Sequence, residues 1–506
     1  MLKKIAFTLM PIRREEISKC ISMGMMFFFI LFNYDLLRTL KDSLIVPNIG
    51  APAVCFIKMY VVTPSALSLM ILYAYLSERL AFEKIFYYIA FFFLAFFLLF
   101  GFVLYPHQEF FNPNPDTITH LINGKLNLFF FELKLDTFRW FLKIYGKWTL
   151  VTYYVISELW GSAMIFLLFW QFANNTTTTE EAKRLYPAYA FIGHLGALLA
   201  GGVGCLIASI GQKYFIENYA ITLSLATILS VILFIHNNRR TKGHHIRITV
   251  SKEEEKLKPK LSLMDGFKII FSSKYLGLII ILILAYGTCI NLLEGLWRMK
   301  VVQIYPNTID YTYFMSKIGM YIAICALIGF CVSGSILRLS GWLFGALVLP
   351  VAMLITGLIF FSVCLFGYHF ASYVAPYGVN LLLIAVIVGG IQNAITKGLK
   401  YSFFDITKEM AFIPTNHQLR SKGKAAVDVV GSRCAKSIGA LIQSTSFMIF
   451  PFATYDTLAP YLTVIYVGMI ALWIFAIKKL YVAYSHKVEE HQHDLTFRSK
   501  EKIKLQ

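Results

Sequence analysis

Charge is scarce in this chain: 15% of its 506 residues are Asp, Glu, Lys or Arg. The eight cysteines are scattered and form no CxxC pair, so neither a disulfide framework nor a zinc site is indicated. They read as small packing residues. No GxxxxGK[ST] occurs, which leaves a P-loop ATPase unsupported; KGKAAVD (422–428) lacks the spaced glycines and the Ser or Thr after Lys. HExxH, GxSxG and the kinase motif set are also missing. The chain is therefore not expected to be an enzyme, and no cofactor or metal is expected. The first apolar run has no A-x-A-like cleavage site and carries charge, so it is expected to be retained.

Apolar residues are abundant. They make up 58% of the chain, with 45 Phe and 29 Tyr, against roughly 45–50% in soluble domains. The expected class is an all-α polytopic membrane protein embedded in a lipid bilayer. A spanning helix takes about 20 apolar residues. On that measure the spans are 21–46, 52–76, 85–105, 148–173, 186–210 and 219–235, then 275–296, 319–339, 343–366, 378–396, 425–452 and 458–477. The third, almost solidly Phe, Leu and Ile, should face lipid. A basic connector, with RRTKGHHIR and KEEEKLKPK, divides the chain. The expected organisation is a six-helix half (1–236), a connector (237–274), a second six-helix half (275–480) and a tail (481–506).

The net charge of +19 has a simple reading and a sharper one. Lys and Arg concentrate in cytoplasmic loops, and an anionic substrate also attracts them. The N-terminal segment, the connector, the 397–424 stretch and the tail are all basic, which predicts both termini on the cytoplasmic side. The His107–Lys147 loop, expected on the other side, opposes this mildly with five basic residues.

The informative charges lie inside the spans. Each costs roughly 2.5–3.5 kcal/mol near a bilayer centre, so each should face a partner, a ligand or a water-filled cavity. In the first span, LFNYDLLRTLKDSLIV sets Asp35, Arg38 and Asp42 on one helical face, with Lys41 flanking it. Arg38 and Lys41 are candidates for anion binding; a self-neutralising network within the helix is the alternative. In the fourth span, Tyr154, Glu158 and Gly161 share a face. Glu158 has no basic neighbour on its own helix, so another span supplies the counter-charge or the group is protonated. In the seventh, Gly287, Asn291, Glu294 and Arg298 align. Glu294 and Arg298 could serve a substrate or merely pair near the outer interface.

The stretch from Lys397 to Gly439 is the densest polar region of the second half. Much of it is expected to be a cytoplasmic loop. Lys424, Asp428, Ser432 and Lys436 then follow at helical spacing into an apolar run. Lys422 and Lys424 would stand at that helix's N-terminus, where backbone N–H groups and the dipole favour anions such as phosphate. His194 reads as a packing residue. Tyr153, Tyr154, Trp160 and Trp170 could stack a base, and interfacial belts or packing account for them equally well.

Two faint echoes relate the halves: FNYDLLRTLK with INLLEGLWRMK, and HLGALLAGG with KSIGALIQS. Two related six-helix halves are the plan of major-facilitator transporters. Beyond that plan, LRTLKDSLIV, FIKMYVVTPSA, SELWGSAMIFLLFWQFAN, NLLEGLWRMKV, GGIQNAITKGLKYSFFDITKEMAFIP and KGKAAVDVVG follow one another in the order seen in the ATP/ADP translocases of obligate intracellular bacteria and plastids. The chain resembles that nucleotide transporter family over nearly its whole length. It does not resemble the mitochondrial six-span carriers, whose repeated P-x-[DE]-x-x-[KR] is missing.

The resemblance implies a major-facilitator-like fold and exchange of host ATP for ADP without hydrolysis, in a bacterial inner membrane. Other members move other nucleotides. It implies substrate-binding roles for Lys41, Glu158, Glu294 and either Lys422 or Lys424. One departure is visible: RCAKSIGA stands where many members read towards LGKSGG, so Cys434, Ala435 and Ile438 differ near the expected site. A monomer is expected, and nucleic acid is not an expected partner. Two other readings remain open: a proton-coupled organic-anion carrier using Glu158 as proton site, and an integral-membrane enzyme.

Overall fold

The computed structural model describes residues 13–128, 131–242, 273–374, 380–415, 427 and 431–504. Ten of its helices are long and apolar enough to cross a membrane. One of them, Thr308–Val374, is two crossings: at Gly341 the backbone turns to φ 76°, ψ 178°, a conformation that a side chain would strain. A shorter apolar helix, Ser432–Ile449, supplies one more. Among the described residues there are thus twelve crossings, six on each side of the undescribed 243–272 stretch.

In order, the first six are Arg14–Ile45, Ala53–Arg79, Phe82–Leu104, Trp148–Thr176, Arg184–Ile210 and Phe215–Arg240. The seventh is Lys274–Ile304, and the eighth and ninth lie on either side of Gly341. The tenth is Leu381–Phe412, the eleventh lies in Ser432–Ile449, and the twelfth is Tyr455–Glu489. Exposed Phe91, Phe92, Leu98, Leu99 and Phe102 line one face of the third, matching its expected lipid contact. Its opposite face packs inward through Phe93 and Phe97, which meet Trp160 of the fourth.

Several spans run further than their apolar windows predicted, and in two of them the extension carries a buried charge. The seventh continues past Leu296 to Ile304, so Arg298 is a helical, buried residue. The tenth continues through Lys397 and a π-helical turn, Lys400–Phe404, to Phe412. The expectation that Lys397 opens a cytoplasmic loop is corrected here. Its ammonium has a buried carboxylate partner, which removes the cost that would otherwise end the span.

The His107–Lys147 loop is a folded cap. It holds short helices Pro115–Asn123 and Arg139–Gly146 around a hairpin of β1 (Lys125–Leu128) and β2 (Phe131–Lys134). The strands pair antiparallel with Lys125 opposite Lys134. Arg139 donates to the Pro451 carbonyl at 2.7 Å, and the buried Trp140 ring lies against Phe447. The cap thus binds the region between the eleventh and twelfth spans.

The fifth and eighth spans cross closely. A Cβ on Gly201 would overlap Met320 and come within 2.9 Å of the Ser316 carbonyl oxygen, which is backbone and cannot turn aside. Gly201→Leu should therefore wedge the two helices apart. Overpacking of this kind costs about 1–3 kcal/mol. The expected result is a protein that reaches the membrane but transports poorly, read by comparing substrate uptake with membrane abundance.

Candidate functional site

Five helices bring eight ionisable side chains together. The first span contributes Arg38, Lys41 and Asp42, the second Lys58, the fourth Glu158, the seventh Glu294 and Arg298, and the tenth Lys397. Lys41 and Glu158 form one centre. The Lys41 Nζ lies 2.8 Å from Glu158 Oε1 and 3.2 Å from Asp42 Oδ1. It also sits 4.1 Å from the centroid of the Tyr154 ring, which faces it as a cation–π partner. Glu158 therefore has the counter-charge that its own helix lacks, and the first span supplies it.

Glu294 is the second centre. Arg298 Nη2 approaches its Oε2 at 2.7 Å, Arg38 Nη2 its Oε1 at 3.8 Å, and Lys58 Nζ its Oε2 at 4.0 Å. Lys397 Nζ also pairs with Oε1. One carboxylate thus gathers four cations from four helices. The Glu294–Arg298 pair exists, as its i, i+4 spacing allows, but it is not isolated. Arg298 is buried and also binds Asp42 Oδ2, through Nη2 at 3.0 Å and Nε at 3.2 Å.

Local backbone features aim these groups. Lys58 falls in a π-helical stretch, Ile57–Val62, which follows one α-helical turn, Ala53–Phe56, begun at Pro52. One extra residue per turn rotates the following side chains, and such bulges are frequent at functional sites. There Lys58 donates to Asn291 Oδ1 at 2.9 Å, and Thr63 and Ser437 hydroxyls meet at 2.9 Å. Gly161 lies close under the Tyr34 ring, so the first and fourth spans approach tightly beside Lys41 and Glu158.

The cluster holds five cations against three carboxylates. Asp35, half-buried on the same face as Arg38, lies within electrostatic reach of Arg38 and Lys397. Even with Asp35 counted, a positive charge is left over. Such a site, with a planar guanidinium fork and several ammonium groups, suits an oxyanion that can take several donors at once. The buried hydroxyls of Tyr154 and Tyr311, beside Lys41 and Arg298, have no hydrogen-bond partner among the described residues.

Of the residues expected from sequence, Arg38, Lys41, Glu158 and Glu294 come together here. Lys422 and Lys424 lie outside the described residues. His194 packs as expected, its ring edge-on to Phe330 and Tyr401, with Nδ1 2.8 Å from the Ala190 carbonyl oxygen. Trp160 donates to the Ile30 carbonyl at 3.0 Å, which is a packing role. Sequence reasoning missed Lys58, Asp42 and Lys397 as site members. Lys58 was open to the same argument from charge inside a span.

The family model described as TLC ATP/ADP transporter matches residues 1–484. The chain belongs to that family. It is 40% identical over 504 residues to ADP,ATP carrier protein 3 of Rickettsia bellii (strain RML369-C), covering 96% of this chain and 98% of that one. It is 41% identical over 498 residues to the protein of that name in Rickettsia prowazekii (strain Madrid E), covering 94% and 97%. Against ADP,ATP carrier protein 1 of Rickettsia conorii (strain ATCC VR-613 / Malish 7) it is 38% identical over 487 residues, covering 95% and 96%.

Among solved structures, it is similar to a bacterial homologue of the iron transporter ferroportin in an inward-facing state, with a TM-score of 0.55 at 12% identity, covering 93% of this chain and 99% of that one. The D-xylose-proton symporter gives 0.53 at 13% identity, covering 92% and 97%. These likenesses place the fold among major-facilitator-like transporters. The chain is a multi-pass membrane transporter.

Proposed function

We propose that this protein exchanges ATP for ADP across the membrane by alternating access, without hydrolysis. The observation that carries the reading is the cation-rich cluster, drawn from helices of both six-span sets of an ATP/ADP transporter family member. Nucleotide polyphosphates would take Lys41, Lys58, Arg298 and Lys397 as donors, with Arg38 and the Lys422/Lys424 segment assisting. Glu158 and Glu294 neutralise these cations in the empty carrier, and phosphate oxygens replace them on loading. A cation held by a displaceable carboxylate is already oriented when the anion arrives. The chain lacks a P-loop, so exchange is driven by nucleotide gradients rather than cleavage.

The two six-helix halves, 1–236 and 275–480, would rock about the cluster, with both termini on the cytoplasmic side and the protein acting as a monomer. ATP carries one more negative charge than ADP, so each exchange moves charge unless another ion accompanies it. The Lys41–Glu158 pairing favours a neutralising role for Glu158 over a proton site.

The test is uptake of labelled ATP into proteoliposomes loaded with ADP or left empty. ADP inside should accelerate entry strongly; equal rates would sink the exchange reading. Competition by GTP, CTP and UTP then reports base preference.

A further inference from the structure

Asp42 has no place in a phosphate-binding scheme, because it is an anion. Yet it is 2% exposed, near the end of the first span, where an idle carboxylate is costly. Its two oxygens do different things. Oδ1 faces Lys41 at 3.2 Å, within its own helix. Oδ2 receives Arg298 Nε at 3.2 Å and Nη2 at 3.0 Å, from the seventh span. One carboxylate therefore ties a cation of the first helix set to a cation of the second. Other polar links also join the two sets: Asn48 Nδ2 donates to Thr308 Oγ1 at 3.2 Å, Arg139 to the Pro451 carbonyl and Lys58 to Asn291 Oδ1 at 2.9 Å, while Arg38 and Lys58 reach Glu294 only at 3.8 and 4.0 Å. Asp42–Arg298 joins the two sets with both charges buried.

We propose that Asp42 is the coupling residue of the exchange: it latches Arg298 across the two helix sets while the carrier is empty, and nucleotide phosphate releases it. The inference rests on the exchange reading above. Parting the helix sets at this end without substrate would strip Arg298 of both hydrogen bonds from Asp42, leaving it Glu294 alone and Asp42 Lys41 alone in a buried setting, where each lost charge-assisted bond is costly. A phosphate offers the Arg298 fork the same two-oxygen geometry that Asp42 offers. The loaded carrier can then open with the Arg298 fork filled by phosphate, and Asp42 keeps Lys41 as its partner. The empty carrier cannot, so return without cargo is slow. Asp42 acts as a positioning residue and need not touch the nucleotide.

The experiment uses the full-length protein in proteoliposomes loaded with labelled ADP, with or without ATP outside. Wild-type release should require external ATP; if it does not, the exchange reading itself fails. With Asp42→Asn, release into nucleotide-free buffer should rise at least about tenfold over wild type, since an uncharged partner no longer holds Arg298. Asp42→Glu should restore dependence on external ATP. A merely structural role for Asp42 predicts lower exchange and no unaccompanied release. An Asp42→Asn protein that still exchanges but does not leak overturns the proposal. Should that variant fail to accumulate in membranes, Asp42→Ser decides: it likewise removes the charge that holds Arg298, so it should leak, and an Asp42→Ser protein that stays tight in nucleotide-free buffer overturns the proposal equally.

Discussion

Lys41→Ala should abolish nucleotide exchange while the protein still reaches the membrane. Lys41 is the cation most completely enclosed by the cluster, with its side chain 5% exposed. It is held from three directions: by Glu158 at 2.8 Å, by Asp42 at 3.2 Å and by the Tyr154 ring at 4.1 Å. Truncation removes a phosphate donor and also leaves Glu158 without this partner in a buried setting. Losing one member of a buried pair costs about 3–5 kcal/mol, equivalent to roughly two to three and a half orders of magnitude in an equilibrium. The expected uptake is therefore at background. Lys41→Arg keeps the charge but brings a planar fork into a space shaped for a compact ammonium, and should recover only part of the rate. Labelled ATP uptake, normalised to the amount of carrier in isolated membranes, reads both variants. Normal uptake by Lys41→Ala would remove this residue from the substrate path.

Much of this site was legible because charge inside a membrane span is expensive. Arg38, Lys41, Glu158 and Glu294 each interrupt a strongly apolar run, and each turns inward onto a partner. Helix number was legible for the same reason, since twelve apolar windows recur at spanning length. Lys397 was not, because a hydropathy window cannot distinguish a charge that ends a span from one neutralised within it. The difference lies in Glu294, 103 positions away in the chain, whose carboxylate pairs with the Lys397 ammonium. Asp42 was legible as a member of a charged face, but its partner was not. Spacing along one helix suggested Arg38 or Lys41, whereas the structure adds Arg298 from the other helix set. The cap between the third and fourth spans read only as a mixed-charge loop. Its order comes from contacts such as Trp140 on Phe447, which no local pattern announces.

Glu294→Ala should destabilise the empty carrier, and nucleotide should restore the loss. In the structure Glu294 is the shared partner of Arg38, Lys58, Arg298 and Lys397. Removing it leaves Lys58 its Asn291 contact and Arg298 its Asp42 contact, but neither replaces a negative charge at the centre. The cations then repel one another across a poorly solvated space, and a loss of about 3–5 kcal/mol is expected by analogy with other broken buried pairs. A polyphosphate brings its own negative charge to the same donors. ATP should therefore raise the unfolding temperature of Glu294→Ala in detergent by more than it raises that of the wild type, because binding stabilises only the folded state. Exchange should still fail: with no carboxylate to take the cations back, the phosphate has nothing to displace it. A variant that is destabilised but gains no more from ATP than wild type would make Glu294 a structural hub rather than the stand-in for phosphate. Glu294→Gln separates shape from charge, since it fills the same volume and should show the same excess response to ATP.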